Sequence, residues 1–133
     1  GRTNLRRNPP GSALQRTAVR IMKNAQYELV SEMLGTGIGN WATLASTEYD
    51  DEGLIHKISL VNYEEGGTSA TITREEFIKA ATDWSNDRLG EGYAFFEDFA
   101  ENWLNENWDL IEFDDDICDQ IHQQSLFGAA IYS

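Results

Sequence analysis

Hydrophobic and polar residues repeat with two different periods along this chain, and each change of period marks a new element. Over residues 19–34, apolar side chains recur three or four positions apart, as on one face of a helix, and Gly35 is a natural helix stop. Residues 41–49, 54–61 and 68–72 alternate with a period of two, which is typical of β-strands. Because short, glycine-bearing turns join these three segments, we predict an antiparallel meander.

Three further helices are predicted after the strands. Thr73 and Glu76 have the spacing of a capping box, in which a hydroxyl and a carboxylate each pair a backbone N–H at a helix start. The helix that begins there ends in the polar stretch 85–92, and residues 93–108 and 114–126 again show helical spacing. This order predicts an α+β fold, with one helix before a three-stranded antiparallel meander and about three after it, packed on one face of the sheet.

Charge is distributed unevenly along the chain. There are 23 acidic and 10 basic residues, which give a formal net charge of −13. Six of the basic residues lie within the first 23 positions, where no acidic residue occurs. The remaining body is therefore strongly acidic and repels phosphate backbones, so we predict no direct nucleic-acid binding by it.

The composition changes abruptly at Met22, which has the character of a translation start. Before it, residues 1–21 are rich in Arg, Asn, Pro and Gly, and Asn8-Pro9-Pro10-Gly11 is typical of a turn or an extended linker. We predict that residues 1–21 form a basic leader outside the native fold and that residues 22–133 form a single acidic domain. The alternative is that the leader is a genuine basic arm.

Two parts of the sequence resemble products of mobile genes. Residues 8–18, Asn-Pro-Pro-Gly-Ser-Ala-Leu-Gln-Arg-Thr-Ala, resemble the peptide obtained by reading through an integron recombination site into a gene cassette. In the body, residues 37–42 and the closing residues 117–132, with Ser-Leu-Phe-Gly at 125–128, are similar to small uncharacterised phage and mobile-element proteins. The resemblance implies an integron gene cassette of the mobile metagenome, and it carries over no catalytic residue.

The glycine-rich segment 35–39 has the wrong context for a nucleotide-binding loop. A dinucleotide fingerprint leaves a strand and opens a helix, whereas this segment leaves a predicted helix and enters a predicted strand. We therefore predict a helix stop followed by a close crossing of the backbone against another element.

Metal-binding side chains are few. Cys118 and His122 are four positions apart on the last predicted helix, where Asp115 and Asp119 could share their side, but the second histidine, His56, lies on a distant strand. Since a zinc site needs at least three protein ligands, we predict no metal. Cys118 is expected to be a small, partly buried hydrophobe and His122 a surface or cap residue. His56 is expected near the core face, as a structural histidine or, alternatively, a general base.

Aromatic side chains concentrate in one region, since residues 84–113 hold eight of the fifteen. One helix face cannot bury them all, and the acidic residues between them provide the polar rim typical of an interface. The alternative is that the extra aromatics pack against the first or last helix. The candidate binding residues are Trp41, Tyr93, Phe95, Trp103, Trp108, Glu97, Asp98 and Glu101.

These patterns favour a non-enzymatic binding protein that uses no cofactor and acts through an acidic, aromatic surface on a basic protein partner, as a homo-oligomer. A sharper version is an inhibitor that mimics the phosphate array of DNA. The alternative is a small-ligand-binding protein or an enzyme, with a pocket between the sheet and the aromatic helix near Trp41, His56 and Trp103. No apolar run reaches the ~20 residues of a membrane span, and one cysteine forms no internal disulfide, so the cytoplasm is the expected compartment.

Overall fold

The computed structural model describes residues 13–132, which form an α+β fold, as predicted. One helix precedes the sheet and three follow it. The sheet is antiparallel, with its three strands side by side in chain order. The helices are α1 (Ala13–Leu34), α2 (Arg74–Arg88), α3 (Ala94–Leu104) and α4 (Asp115–Phe127), and the strands are β1 (Ala42–Tyr49), β2 (Ile55–Asn62) and β3 (Thr68–Thr73).

Side-chain caps fix the starts of two helices. The Thr73 hydroxyl accepts the backbone N–H of Glu76 at 3.2 Å, and the Glu76 carboxylate accepts the N–H of Thr73 at 2.9 Å, so the predicted capping box of α2 is confirmed. At α4, Asp114 accepts the N–H of Ile117 at 2.9 Å. Gly128 ends this helix in the left-handed region.

The core lies between the sheet and the helices, with α3 packed against α2. Each large apolar side chain buried there contributes roughly 1.5–3 kcal/mol to folding. The fully buried apolar residues include Val30, Met33, Leu34, Ile58, Leu60, Ile72, Phe77, Ala81, Trp84, Ile117 and Ile121.

A bulge at the start of β2 changes which side chains face the core. Tyr49 pairs with Ile55, whereas the preceding residue of β1 pairs with Lys57, so His56 is the extra residue. Ile55 is therefore buried against the end of α1, while His56 is half-buried at the margin. The predicted position of His56, at the core face or its margin, is therefore confirmed at the margin. Strict alternation also predicts Leu54 on the core face and Ile55 on the opposite face, and the bulge accounts for the burial of Ile55.

Helix α1 is longer than the periodicity predicts. It begins at Ala13 instead of residue 19 and runs without a break across the predicted boundary between residues 21 and 22. The segment 13–16, Ala-Leu-Gln-Arg, consists of strong helix formers, although it carries no apolar stripe. The other residues of the predicted leader, 1–12, lie outside the described residues, so the domain boundary stays a prediction.

Helix α3 is shorter than predicted and ends at Leu104. Asn105 caps it, and Glu106 follows with a φ of 59°. A left-handed residue at this position is the usual way to end a helix, although glycine normally supplies it. Trp108, which was predicted to lie in the helix, lies instead in a separate 3₁₀ turn, Trp108–Leu110. Among the described residues, no helix has the length and apolar character that crossing a bilayer requires.

Candidate binding surface

The glycines before β1 bring the backbone close to α4. A Cβ atom added at Gly37, which has a φ of 72°, would lie 2.2 Å from the Cβ of Cys118. A Cβ added at Gly39 would lie 2.9 Å from the Oδ1 atom of Asp119. The predicted close crossing is confirmed, and its function is to pack the chain against a helix.

Trp41 is a core residue, although it was a candidate for the binding surface. Its side chain is 3% exposed, and its indole nitrogen donates to Asp119 at 2.6 Å. Its ring stacks on Tyr132 with centroids 5.5 Å apart and meets the edge of Phe127 at 5.6 Å. Because α4 and the residues after it cover this ring, Trp41 offers no contact surface to a partner.

The residues after α4 are held by a buried glutamine. Gln123 is completely buried, and its side-chain oxygen accepts the backbone N–H groups of Ile131 and Tyr132, each at 2.7 Å. Its amide nitrogen donates to Asp119 at 2.9 Å and to the carbonyl oxygen of Tyr132 at 3.1 Å. Sequence reasoning missed this residue, because nothing distinguishes a buried glutamine from an exposed one until its partners are known.

The three candidate metal ligands, Cys118, His122 and Asp115, differ in burial. Cys118 and His122 are completely buried, whereas Asp115 is exposed. The prediction that His122 lies at the surface is therefore wrong. Its Nδ1 atom is 2.6 Å from the carbonyl oxygen of Cys118, and its Nε2 atom is 3.4 Å from that of Leu34. Within residues 13–132, no three His, Cys, Asp or Glu side chains are grouped to hold a metal ion.

Burial also shifts the pKa values of Cys118 and His122. It raises the pKa of the Cys118 thiol, and the nearby Asp115 and Asp114 raise it further, so the thiol stays protonated. Burial lowers the pKa of His122, against the opposing effect of the two carbonyl groups. A protonated thiol and a neutral, enclosed imidazole are structural groups in this position.

A second buried polar cluster was also missed from the sequence. Arg74 is 6% exposed and donates to Asp50 at 2.6 Å and to the carbonyl oxygen of Ile55 at 3.3 Å. Its guanidinium carbon lies 4.0 Å from the ring centroid of Tyr27 in α1. The hydrogen bond from Arg74 lowers the pKa of Asp50 to about 2, with the backbone N–H of Leu54 adding to the effect. This cluster joins α1, α2 and the β1–β2 turn.

Trp103 lies in the core as well and is not a surface residue. It is 2% exposed, its indole nitrogen donates to the hydroxyl of Thr82 at 3.0 Å, and its ring stacks on Phe99 with centroids 5.8 Å apart. Trp108 meets its edge, with centroids 5.0 Å apart and planes at 78°. Trp108 is only half-buried, so this ring is the one of the pair that remains accessible.

The other candidates lie on and beside α3. Tyr93 is 57% exposed, and Asp98 and Glu101 are exposed on the helix itself. Leu110 is 64% exposed, and its carbonyl oxygen accepts from Asn102 at 3.5 Å, so it lies alongside the last turn of α3. We call the set Tyr93, Asp98, Glu101, Trp108 and Leu110 the α3 surface.

Two candidates contribute to the α3 surface only indirectly. Phe95 is half-buried and packs against the core. Glu97 is half-buried and accepts the backbone N–H of Gly92 at 3.0 Å, which holds the loop before α3. Both residues therefore support the α3 surface from below and add little exposed area to it.

The α3 surface belongs to a part of the sequence in which every charged side chain is acidic, and one of these acids, Glu91, pairs with Arg88 at 3.4 Å. Arg88 is the last Lys or Arg of the sequence, and every charged group after it is acidic. Those acidic residues are Glu91, Glu97, Asp98, Glu101, Glu106, Asp109, Glu112, Asp114, Asp115, Asp116 and Asp119. These carboxylates attract cations, and the neighbouring positive charges of Lys23 and Arg88 partly oppose them.

An open cavity of about 430 Å³ lies beside the α3 surface, which is within the size range of ligand pockets. The alternative function predicts a pocket between the sheet and the aromatic helix, near Trp41, His56 and Trp103. The cavity lies away from the sheet, and Trp103 is the one of these three residues that lines it. We call this cavity the indole groove. Its described lining residues are Lys23, Gln26, Thr82, Trp103, Leu104, Glu106 and Trp108.

No protein-family model, curated protein or solved structure matches this chain.

Proposed function

We propose that this protein binds a basic protein partner through the α3 surface and performs no chemistry of its own. The observation that carries the proposal is the combination of exposed apolar groups, Tyr93 and Leu110, with a surrounding sequence that has only acidic charges from residue 89 onward. Tyr93 and Leu110 lie at opposite ends of α3, with the exposed Asp98 and Glu101 between them, and apolar and charged groups occur together in protein interfaces.

The buried titratable groups support a binding function over catalysis. His122, Cys118 and Arg74 are all used in packing and hydrogen bonding inside the fold. A general base or nucleophile needs access to a substrate, and these groups lack it. The half-buried His56 lies at a sheet bulge, away from the indole groove.

Charge and apolar area act at different stages of such binding. The acidic field accelerates the encounter with a cationic partner and weakens as salt is added. Once the partner is bound, a few buried aromatic or aliphatic anchors supply most of the affinity. The partner should therefore present Lys or Arg around one or more apolar residues.

Three further features complete the proposal. The gene is a mobile one, on the resemblance of residues 8–18 to an integron cassette junction. The protein acts in the cytoplasm, as its single cysteine favours, and it forms a homo-oligomer, which light scattering on the full chain can test. If the partner is itself a DNA-binding protein, the acidic surface mimics DNA, and duplex DNA should then compete for the partner.

Charge reversal tests where a basic partner binds. The probe is a synthetic lysine peptide, in which lysines alternate with leucines and serines, titrated by calorimetry. Asp98→Lys with Glu101→Lys should weaken binding by about tenfold or more at low salt. The matched control is Glu64→Lys with Glu65→Lys, which changes the net charge equally at exposed positions of the β2–β3 turn. Equal weakening by both pairs would mean that the peptide senses only net charge.

Two tyrosines of equal exposure test the apolar contribution. Tyr93 is 57% exposed on the α3 surface, and Tyr63 is 58% exposed in the β2–β3 turn. Tyr93→Ser should weaken lysine-peptide binding at physiological salt, whereas Tyr63→Ser should leave it unchanged. If neither substitution weakens lysine-peptide binding, Tyr93 is not an apolar anchor of the interface.

A further inference from the structure

The indole groove has an aromatic side that suits a flat cation. Trp108 is half-buried and lines the groove, and the plane of its ring makes an angle of 78° with that of Trp103. The indole nitrogen of Trp103 already donates a hydrogen bond to the Thr82 hydroxyl. The face of an indole ring is electron-rich and attracts a cation placed over it. Trp108 is therefore a preformed platform.

Glu106 places a carboxylate at the same groove. It has the only positive φ of a non-glycine residue within residues 13–132. A left-handed conformation is unfavourable for an ordinary L-residue, and glycine or asparagine adopts it more easily. The chain has asparagine at both neighbouring positions, 105 and 107, and glutamate between them.

The other polar groups of the groove come from α1 and α2. Gln26 supplies an amide that can donate or accept, and Thr82 supplies a hydroxyl that already accepts from Trp103 and donates to the carbonyl oxygen of Ile78 at 3.0 Å. Lys23 is the one cation among the described lining residues. The positive charge of Lys23 repels a cationic ligand on its side of the groove.

We propose that the indole groove receives an arginine side chain of the basic partner. A guanidinium is planar and stacks on an aromatic face, and its N–H groups match a carboxylate in two parallel hydrogen bonds. Trp108 offers the face and Glu106 the carboxylate. The compact ammonium group of lysine can use the charge but not this combined geometry. The inference rests on the proposed function and names the anchor that the partner inserts.

Arginine and lysine peptides of equal charge test the inference. The arginine peptide has the sequence of the lysine peptide with arginine at every lysine, and both are titrated into the full chain by calorimetry and by quenching of tryptophan fluorescence. We expect the arginine peptide to bind about tenfold more tightly. Glu106→Gln should abolish this preference and leave the affinity for the lysine peptide within about twofold. Trp108→Leu should also abolish the preference, and because it removes a member of the α3 surface it should weaken the binding of both peptides.

Two further variants serve as controls, one for misfolding and one for the effect of Lys23 on the ligand. Glu106→Gly relieves the left-handed strain, so it should fold at least as well as the parent and still lose the arginine preference. Lys23→Gln removes the opposing cation and should tighten arginine-peptide binding by about twofold or more. If Lys23→Gln weakens arginine-peptide binding instead, Lys23 does not oppose the bound ligand and the inference is wrong.

The remaining outcomes separate the two proposals. Equal affinity for both peptides, unchanged by Glu106→Gln, would overturn the arginine groove while leaving the acidic binding surface intact. If neither peptide binds, both the proposed function and the groove fail.

Discussion

The Asp119 carboxylate accepts a 2.6 Å hydrogen bond from the indole nitrogen of Trp41, 78 residues earlier in the chain. The same oxygen accepts the backbone N–H of Gly39 at 2.7 Å, and the other oxygen accepts from Gln123. One carboxylate therefore joins the entry to the sheet, helix α4 and, through Gln123, the residues that follow α4.

Replacing Asp119 should destabilise the fold strongly. Asp119→Ala leaves three donors without their acceptor, at a cost of about 3 kcal/mol in the free energy of unfolding. Urea unfolding followed by tryptophan fluorescence measures the loss. The control is Asp116→Ala, an exposed acid of the same helix, which should cost under about 1 kcal/mol. Similar losses for the two variants would show that the Asp119 contacts contribute little.

Gly37 should tolerate no side chain. In Gly37→Ala, the new methyl group would overlap Cys118 in addition to adopting a strained backbone angle. Gly53 is the matched control, because its φ of 81° is similar and nothing lies within 4 Å of its added Cβ. Gly53→Ala should cost about 1 kcal/mol from the backbone alone, and Gly37→Ala about 1–3 kcal/mol more.

Thermal or urea unfolding of both alanine variants checks this difference. Equal losses would mean that α4 moves away freely, so that the close crossing contributes nothing to stability.

Local sequence signals were sufficient for the element order but not for the polar contacts. The capping box at Thr73 and the turns between strands act over a few residues, and the structure contains them where the sequence predicts them. The partners of Asp119, Gln123 and Arg74 depend on which segments meet in three dimensions. Their polar side chains resemble surface residues until those neighbours are present.

The candidate surface was only partly predictable for the same reason. Helical spacing over residues 93–108 correctly separated the exposed Tyr93 from the buried Phe99, although Tyr93 lies just before the first residue of α3. The same spacing turns Trp103 inward, whereas the burial of Trp41 depends on α4 and does not follow from its own strand. The sheet bulge that buries Ile55 has no signature in the alternation of β2.

The Asp50–Arg74 pair should make stability fall in acid. The pKa of Asp50 is lowered from 3.8 to about 2, so the unfolded chain binds a proton in that interval while the folded chain does not. Its contribution is fully present above pH 3.8 and is lost as the pH falls through about 2. Asp50→Asn lacks this titration, so its stability deficit should shrink as the pH falls. A deficit independent of pH would contradict the pairing.

His122 should make stability fall in mild acid as well. Burial lowers its pKa below the ordinary 6.5, so below about pH 6.5 the unfolded chain binds a proton that the folded chain resists. Its contribution is present above pH 6.5 and is lost as the pH falls through the lowered value. His122→Gln should flatten this part of the stability profile when urea unfolding is measured as a function of pH. An unchanged profile would place the titration elsewhere.

The most direct test of the binding proposal is to map the lysine peptide onto the protein by amide chemical shifts during a titration. We expect the shifts to concentrate in residues 93–112, around Tyr93, Trp108 and Leu110. The acidic turns at residues 50–53 and 63–66 serve as internal controls and should change little. Shifts of equal size at those turns, or shifts spread over all the acidic residues, would contradict a specific α3 surface.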